Sequence, residues 1–462
     1  MDLRKEKIHM VGIGGIGMSA LAFILVEMGH IVSGSDVQDN DIMKALRRKG
    51  VVAGVGHDRS NIKEQDLVVY SSSIRMDNPE ILAARERNIP IISRTELLKM
   101  IMDGKKKTVA ITGTHGKTTT TAMSALLLEE AGLDPTVLIG GESPNFGGNA
   151  KFGKSDALVT EVDESDGRFV ILKPDYIIIS NLEKEHMEYY RDEAHLVDTF
   201  RRFLSAQSAK CVVFSRFEDA NLKALTRSYG GKAVSFGFSP EADVYGENIK
   251  IGVFKIEFDC VCRKKPLGRF TINIPGIHNV SNALAVIALG AELGIDVPVM
   301  KEALFRYKNV KRRFDLIGEI NGAKIVEDYA HHPTEIKATI SAARSLNPKR
   351  LITVFQPHRY TRTKSFYKEF SAALAGSDEV ILTEVYAASE ERIEGASAKN
   401  IYEVMAKEDS IPVRLLEKSE ITGYLAKKIK EGDIVLILGA GDIGKTAHEA
   451  VLYIKSLYAR KA

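Results

Sequence analysis

"TVAITGTHGKTTTTAMSALL" (residues 108–127) sets an apolar run, Val109 to Ile111, against the polar hexapeptide Gly113-Thr114-His115-Gly116-Lys117-Thr118 and then a helical pattern. A strand that turns through glycines into a helix opening on Lys-Thr is the form of a phosphate cradle, although Ile111 stands where the usual G-x-x-x-x-G-K-[ST] spacing has its first glycine. Backbone N–H groups of such a turn surround a β-phosphate, the lysine neutralises β and γ oxygens, and the Ser/Thr hydroxyl reaches magnesium. Lys117 and Thr118, followed by Thr119, supply those groups, so ATP is the expected tenant.

A second junction of the same kind stands near the amino terminus. In "IHMVGIGGIGMSALAFILVEMG" (8–29) a strand meets Gly12-x-Gly14-x-x-Gly17, with Gly15 and Ile16 inside the turn, and then a helix. Asp36 ends the next strand, "IVSGSD" (31–36), at about the spacing of a ribose-binding acid. Glycine permits close backbone approach, and the helix start presents unpaired N–H groups, so a diphosphate fits. The pattern does not distinguish NAD from another nucleotide diphosphate. A further match, "ILGAGDIGK" (437–445), follows a strand but has no acidic partner strand after it, and reads equally as a binding turn or as strand–helix packing.

At 462 residues the chain exceeds one ordinary core. Three βαβα blocks opening at "IHMVGI" (8–13), "TVAITG" (108–113) and "AKIVEDY" (323–329) predict an α/β protein built on parallel sheets. The expected domains are 1–106, 107–312 and 313–462, with Rossmann-like outer domains and a central P-loop ATPase domain carrying an antiparallel insertion at "DVYGENIKIGVFKIEFDCVC". A net charge of +3 gives no footprint for nucleic acid. No apolar run approaches the roughly 20 residues of a membrane span, and the glycine-rich amino terminus leaves no signal-peptide core. Cys211, Cys260 and Cys262 form no disulfide or zinc pattern, which together with the foregoing predicts a cytoplasmic protein.

"ALVTEVDESDGRF" (157–169) places Glu161, Asp163, Glu164 and Asp166 at the end of an apolar strand, where a carboxylate reaches Mg²⁺ in α/β nucleotide sites. The same run reads equally as a solvated acidic loop. "YIIISNLEKEHMEYY" (176–190) carries His186 past another strand; taken alone, a histidine is an unusual magnesium ligand.

With "SSSI" (71–74), "HNVSNALA" (278–285), "RRFD" (312–315), "EDYAHHPTE" (327–335) and "QPHRYTRT" (356–363), these motifs resemble the Mur ligase family over essentially the whole chain. The shortened phosphate loop is that family's form. The resemblance implies an ATP-dependent amide ligase that joins L-alanine to the lactyl carboxylate of UDP-N-acetylmuramate through an acyl phosphate, in peptidoglycan precursor synthesis. It implies a UDP-sugar site at Gly12, Gly14, Gly15, Ile16, Gly17, Asp36, Ser71 and Ser72, and a nucleotide site at Gly113 to Thr119. Asn282 matches an adenine contact, and Arg313 and Asp328 match nucleotide contacts. Glu161 and His186 are implied to join Thr118 around Mg²⁺ or Mn²⁺. His331, His358, Arg359 and Arg362 fall where the family closes over its substrates, making Lys117, Glu161, His186, His331 and Arg359 the expected catalytic set. The expected assembly is a monomer or weak homodimer. Relatives that add later residues use a carbamylated lysine shortly after the metal histidine, whereas no lysine occurs between Lys184 and Lys210, which favours the alanine-adding branch. Two other classes compete: a nicotinamide oxidoreductase leaves "GTHGKT" idle, and a regulatory UDP-sugar-binding protein needs no metal carboxylate.

Overall fold

The computed structural model describes residues 6–187, 189–388, 390–408 and 411–459. The chain divides into two compact units, one of Met1–Glu247, Asp259–Phe270 and Ser281–Tyr307, the other of Asn248–Phe258, Thr271–Val280 and Lys308–Ala462.

The first unit opens with five strands, β1 (Lys7–Val11), β2 (Ile31–Asp36), β3 (Val52–Val55), β4 (Leu67–Tyr70) and β5 (Ile91–Ser93). They form a parallel sheet in the order β3-β2-β1-β4-β5. A parallel sheet of this order, with β1 central, brings the ends of β1, β2 and β4 together at one edge. Gly12, Asp36 and Ser71 follow or finish those strands.

The chain then builds a second sheet in the same unit from β6 (Lys107–Thr112), β7 (Thr136–Ser143), β8 (Gly148–Lys151), β9 (Ala157–Glu161), β10 (Tyr176–Ile179), β11 (Val212–Arg216) and β12 (Lys232–Gly237). Its order is β12-β11-β10-β6-β9-β7-β8. All these neighbours are parallel except the β7–β8 hairpin. Three strands follow, β13 (Val244–Gly252), β14 (Lys255–Cys262) and β15 (Lys265–Ile272), whose residues are divided between the units. The expected insertion is thus present, but its first strand extends the parallel sheet, pairing Phe236 with Val244 and Gly237 with Tyr245. Cys260 and Cys262 are buried in β14.

Helix Ile16–Glu27 explains why both sheets share one unit. Its sequence, IGMSALAFILVE, is apolar nearly all round, the pattern of a helix covered on every side. It packs on β2 and also on β7 and β8. Asn149 of β8 donates to Ile16 O at 2.7 Å and Ser19 Oγ at 3.0 Å, fixing the first turn of that helix to the second sheet. Met18, Leu21 and Leu25 join Ala110, Leu138 and Leu158 in one continuous buried core.

The second unit carries β16 (Asp315–Ile320), β17 (Ala323–Asp328), β18 (Arg350–Phe355), β19 (Glu379–Leu382), β20 (Val413–Leu415) and β21 (Asp433–Leu438) in the order β16-β17-β21-β18-β19-β20. The block expected to open at "AKIVEDY" opens one strand earlier. β16 runs antiparallel to β17 through a tight Asn321-Gly322 turn, while the remaining pairs are parallel.

Candidate active site

β6 delivers the chain to Gly113 at φ +111° and Gly116 at φ +81°, conformations that L side chains rarely adopt. A Cβ on Gly113 would lie 2.6 Å from Ser180 Oγ, and one on Gly116 would lie 2.6 Å from Asn282 Oδ1. The loop is therefore seated on the segment after β10 and against the helix bearing Asn282. Thr114 N donates to Asn181 O and His115 N to Asn181 Oδ1, both at 3.0 Å, and Ser180 Oγ donates back to His115 O. Helix Lys117–Glu130 starts at once, with Gly116 as its cap. The N–H groups of its first turn, at Lys117, Thr118 and Thr119, have no intrahelical acceptor and carry the positive end of the helix. These are the groups that a phosphate requires.

Lys117 is turned onto this loop. Its Nζ donates to Gly113 O at 2.6 Å, Thr114 O at 3.0 Å and Glu164 Oε1 at 2.9 Å. Burial alone would lower the ammonium's pKa; Glu164, then Glu161 and Asp163, outweigh it and hold the pKa above the ordinary value. His186, at φ +57°, sets Nε2 3.4 Å from the same Glu164 oxygen. Glu164 is 2% exposed, and its Oε2 has no hydrogen-bond partner among the described residues.

The acidic run thus separates into three roles. Glu161, ending β9, accepts from Gly140 N at 3.0 Å and lies over that glycine. Asp163 pairs with Arg94 at 2.8 Å; burial would raise its carboxyl's pKa, but the Arg94 guanidinium and His186 hold it below the usual range. Glu164 pairs directly with both Lys117 and His186. Glu161 is the residue of this run expected in the site, with Glu164 in the surrounding acidic run. The available signal was the repeat of Glu three positions apart in "EVDE", which does not say which of the two turns inward.

The first glycine-rich turn connects to the same acidic strand. Gly14 N donates to Asp36 Oδ2 at 3.0 Å, and Asn40 Nδ2 returns a bond to Gly14 O. Ser71 packs over Gly12, its Cβ 3.1 Å from where a glycine Cβ would stand, while Ser72 is exposed. A Cβ on Gly17 would lie 2.4 Å from Arg94 Nη1. Arg94 therefore rests on the start of the first helix and pairs with Asp163, joining the two cradles within the unit. Arg94 is absent from the expected set and lies in none of the motifs quoted above.

In the second unit Asp328 ends β17 and accepts from Phe314 N and Ala330 N, both at 2.7 Å. Burial raises its pKa to about 6, against the pull of Arg313. The Arg313 guanidinium lies over the Tyr329 ring at 5.2 Å. His331 Nδ1 is 2.9 Å from Tyr329 O, and its ring centroid is 5.6 Å from that of His358. Arg362 Nη1 reaches His358 O at 3.0 Å, and Arg359, at φ +70°, donates its N–H to Tyr386 O. His331, His358, Arg359 and Arg362 are thus gathered together, with Tyr386, absent from the expected set, stacked on His358 at 5.7 Å.

The third glycine turn is filled by the protein itself. A Cβ on Gly441 would meet Tyr386 at 2.5 Å and Gln356 Oε1 at 2.6 Å, and Arg312 Nη2 donates to Gly439 O and Gly441 O. These contacts support the packing alternative for residues 437–445.

No helix among the described residues is long and apolar enough to cross a membrane. Three family models match the chain: "Mur ligase family, catalytic domain" over residues 7–106, "Mur ligase middle domain" over 111–290 and "Mur ligase, glutamate ligase domain" over 312–441. A UDP-N-acetylmuramate--L-alanine ligase of Desulforamulus reducens is 40% identical over 452 residues, covering 97% of this chain and 98% of that protein. One from Aquifex aeolicus is 40% identical over 447 residues, covering 96% and 97%. The crystal structure of UDP-N-acetylmuramate-alanine ligase MurC from Thermotoga maritima superposes with a TM-score of 0.85 at 32% identity, covering 98% of this chain and 99% of that one. On the strength of three successive domain matches and full-length relatives, the chain belongs to the Mur ligase family.

Proposed function

We propose that the chain is an ATP-dependent ligase that joins L-alanine to the lactyl carboxylate of UDP-N-acetylmuramate, in peptidoglycan precursor synthesis. Residues 1–106 serve the UDP-sugar, 107–312 serve ATP and 313–462 serve the amino acid. The observation that carries the reading is the placement, in one unit, of Lys117 on a phosphate loop beside a carboxylate strand that is tied through Arg94 to a second phosphate turn.

A carboxylate resists an amine at neutral pH because its leaving group would be oxide. In-line attack of the lactyl carboxylate oxygen on the γ-phosphorus breaks the bond to ADP and yields an acyl phosphate. The alanine amine then attacks the acyl carbon, phosphate leaves, and the amine gives up a proton. The chain's work is positioning and charge neutralisation. Lys117 and the N–H groups of Lys117 to Thr119 hold the phosphates. Gly12 to Gly17, Asp36 and Ser71 hold the UDP-sugar, and Arg359 or Arg362 pairs with the alanine carboxylate. The residues fit a hard divalent cation: the Thr118 hydroxyl, Glu161 and the buried Oε2 of Glu164, unpartnered among the described residues, are oxygen donors, with His186 alongside. Mg²⁺ bound there would neutralise charge on the β and γ oxygens.

The test is phosphate release from ATP with UDP-N-acetylmuramate and, in turn, L-alanine, glycine, L-serine or a peptidoglycan tripeptide. Release that depends on L-alanine supports the reading. Turnover only with the tripeptide would move the chain to another branch, and no amine-dependent release would remove the ligase assignment.

A further inference from the structure

We infer that Glu164 is a positioning residue that latches Lys117 and releases it when a divalent cation arrives, so that metal and nucleotide binding are coupled through this one carboxylate. The inference rests on the ATP reading above. Lys117 must extend toward β and γ oxygens to serve a nucleotide. In this structure its Nζ is instead held by Glu164 Oε1 at 2.9 Å and by the loop's own Gly113 and Thr114 carbonyls. Two anionic requirements compete for one ammonium.

The other oxygen of the carboxylate supplies the switch. Glu164 Oε2 is buried with no hydrogen-bond partner among the described residues, an arrangement that costs free energy unless a donor or cation meets it. With His186 Nε2 3.4 Å from Oε1, a divalent cation here meets one charged oxygen at once. A carboxylate drawn to a dication holds an ammonium less tightly, since the dication's greater charge prevails at comparable distance. Glu161 and Asp163 carry the same charge nearby but do not hold Lys117: Glu161 is engaged with Gly140 and Asp163 with Arg94. General repulsion of phosphate therefore differs from the latch, because repulsion is shared by all three carboxylates.

The experiment is calorimetric titration of ADP into the full-length protein, in EDTA and in saturating Mg²⁺. The variants are Glu164→Gln, Glu164→Asp, which preserves charge but shortens the reach to Lys117, and Glu161→Gln as the charge control. In the native protein Mg²⁺ should tighten ADP by about tenfold or more, within the usual range of coupling between sites. Glu164→Gln and Glu164→Asp should each tighten ADP in EDTA about three- to tenfold and shrink the Mg²⁺ effect correspondingly. Glu161→Gln, which removes a charge near Lys117 but leaves the Glu164 bond in place, should tighten ADP in EDTA less than either Glu164 variant does. The inference is overturned if neither Glu164 variant tightens ADP in EDTA, or if Glu161→Gln tightens it equally. Thermal melting identifies a variant that fails to fold, in which case the other Glu164 variant decides. Absence of ADP binding to the native protein in both conditions would instead remove the ATP reading itself.

Discussion

At the scale of single residues, Lys117 has two tasks that substitution separates. It offers charge to a triphosphate, and it neutralises Glu164, which is 2% exposed. Lys117→Ala should lower kcat on the order of 10²- to 10³-fold, the loss typical of one preorganised electrostatic donor. It should also destabilise the fold by about 3 kcal/mol, because a buried carboxylate is left without its cation. Adding Glu164→Gln should restore most of that stability and none of the turnover. Denaturant unfolding and phosphate release on both variants check this, and recovery of activity in the double variant would show that Lys117 is not the phosphate cation. The motif "GTHGKT" made Lys117 legible because the glycines, lysine and threonine fall within one hexapeptide between a strand and a helix. Glu164 was obscured because the turn after β9, set by bonds such as Ser165 N to Asp163 Oδ1, decides which carboxylate faces inward.

At the scale of elements, the end of β2 depends on a buried polar cluster that no motif announces. Glu80, fully buried in the first turn of helix Pro79–Glu86, accepts from Ser35 Oγ at 2.6 Å and from Asn61, and lies 3.3 Å from His57 Nδ1 and 3.6 Å from His9 Nε2. The Ser35 carbonyl in turn accepts from Gly12 N and Ile13 N, so the cluster supports the first glycine turn from behind. Burial alone would raise the Glu80 pKa; the neighbouring His9 and hydrogen bonds from Ser35 and Asn61 outweigh it and lower the pKa from 4.5 to about 2. A carboxyl with a depressed folded-state pKa stabilises fully above its unfolded value and loses that contribution as pH falls toward the folded value. Glu80→Gln should therefore cost about 3 kcal/mol at pH 7, with the cost shrinking between pH 4.5 and 2. Urea unfolding at pH 7 and pH 3 measures it; an equal cost at both would assign the loss to shape rather than charge. Strands and helices of this sheet were legible from apolar runs and glycine turns. The cluster was not, because Ser35, Asn61 and Glu80 are far apart in sequence and meet only through the β2-β1-β4 order.

At the scale of the whole molecule, the three α/β blocks were legible because each begins with an apolar strand ending in a polar turn. What the sequence left undecided was how turns such as 437–445 are filled: Gln356 and Tyr386, from elsewhere in the chain, occupy the space beside Gly441, and only the folded sheet brings them there. Dividing substrate binding along the chain has a measurable consequence. Arg359 lies in the second unit with His331, His358 and Arg362, whereas the UDP-sugar turn and phosphate loop lie in the first. Loss of a charge-assisted hydrogen bond is worth about 1.5–3 kcal/mol, or roughly 10- to 150-fold in an equilibrium constant. Arg359→Ala should therefore raise the KM for L-alanine by about that factor while leaving ADP and UDP-N-acetylmuramate affinities within about twofold, since Arg359 is assigned to the amino acid alone. Steady-state kinetics with L-alanine varied, paired with calorimetry of the two nucleotides, reads both quantities on one variant. A collapse of UDP-N-acetylmuramate binding with no change in the alanine KM would place Arg359 on the sugar nucleotide and reassign the second unit's basic cluster.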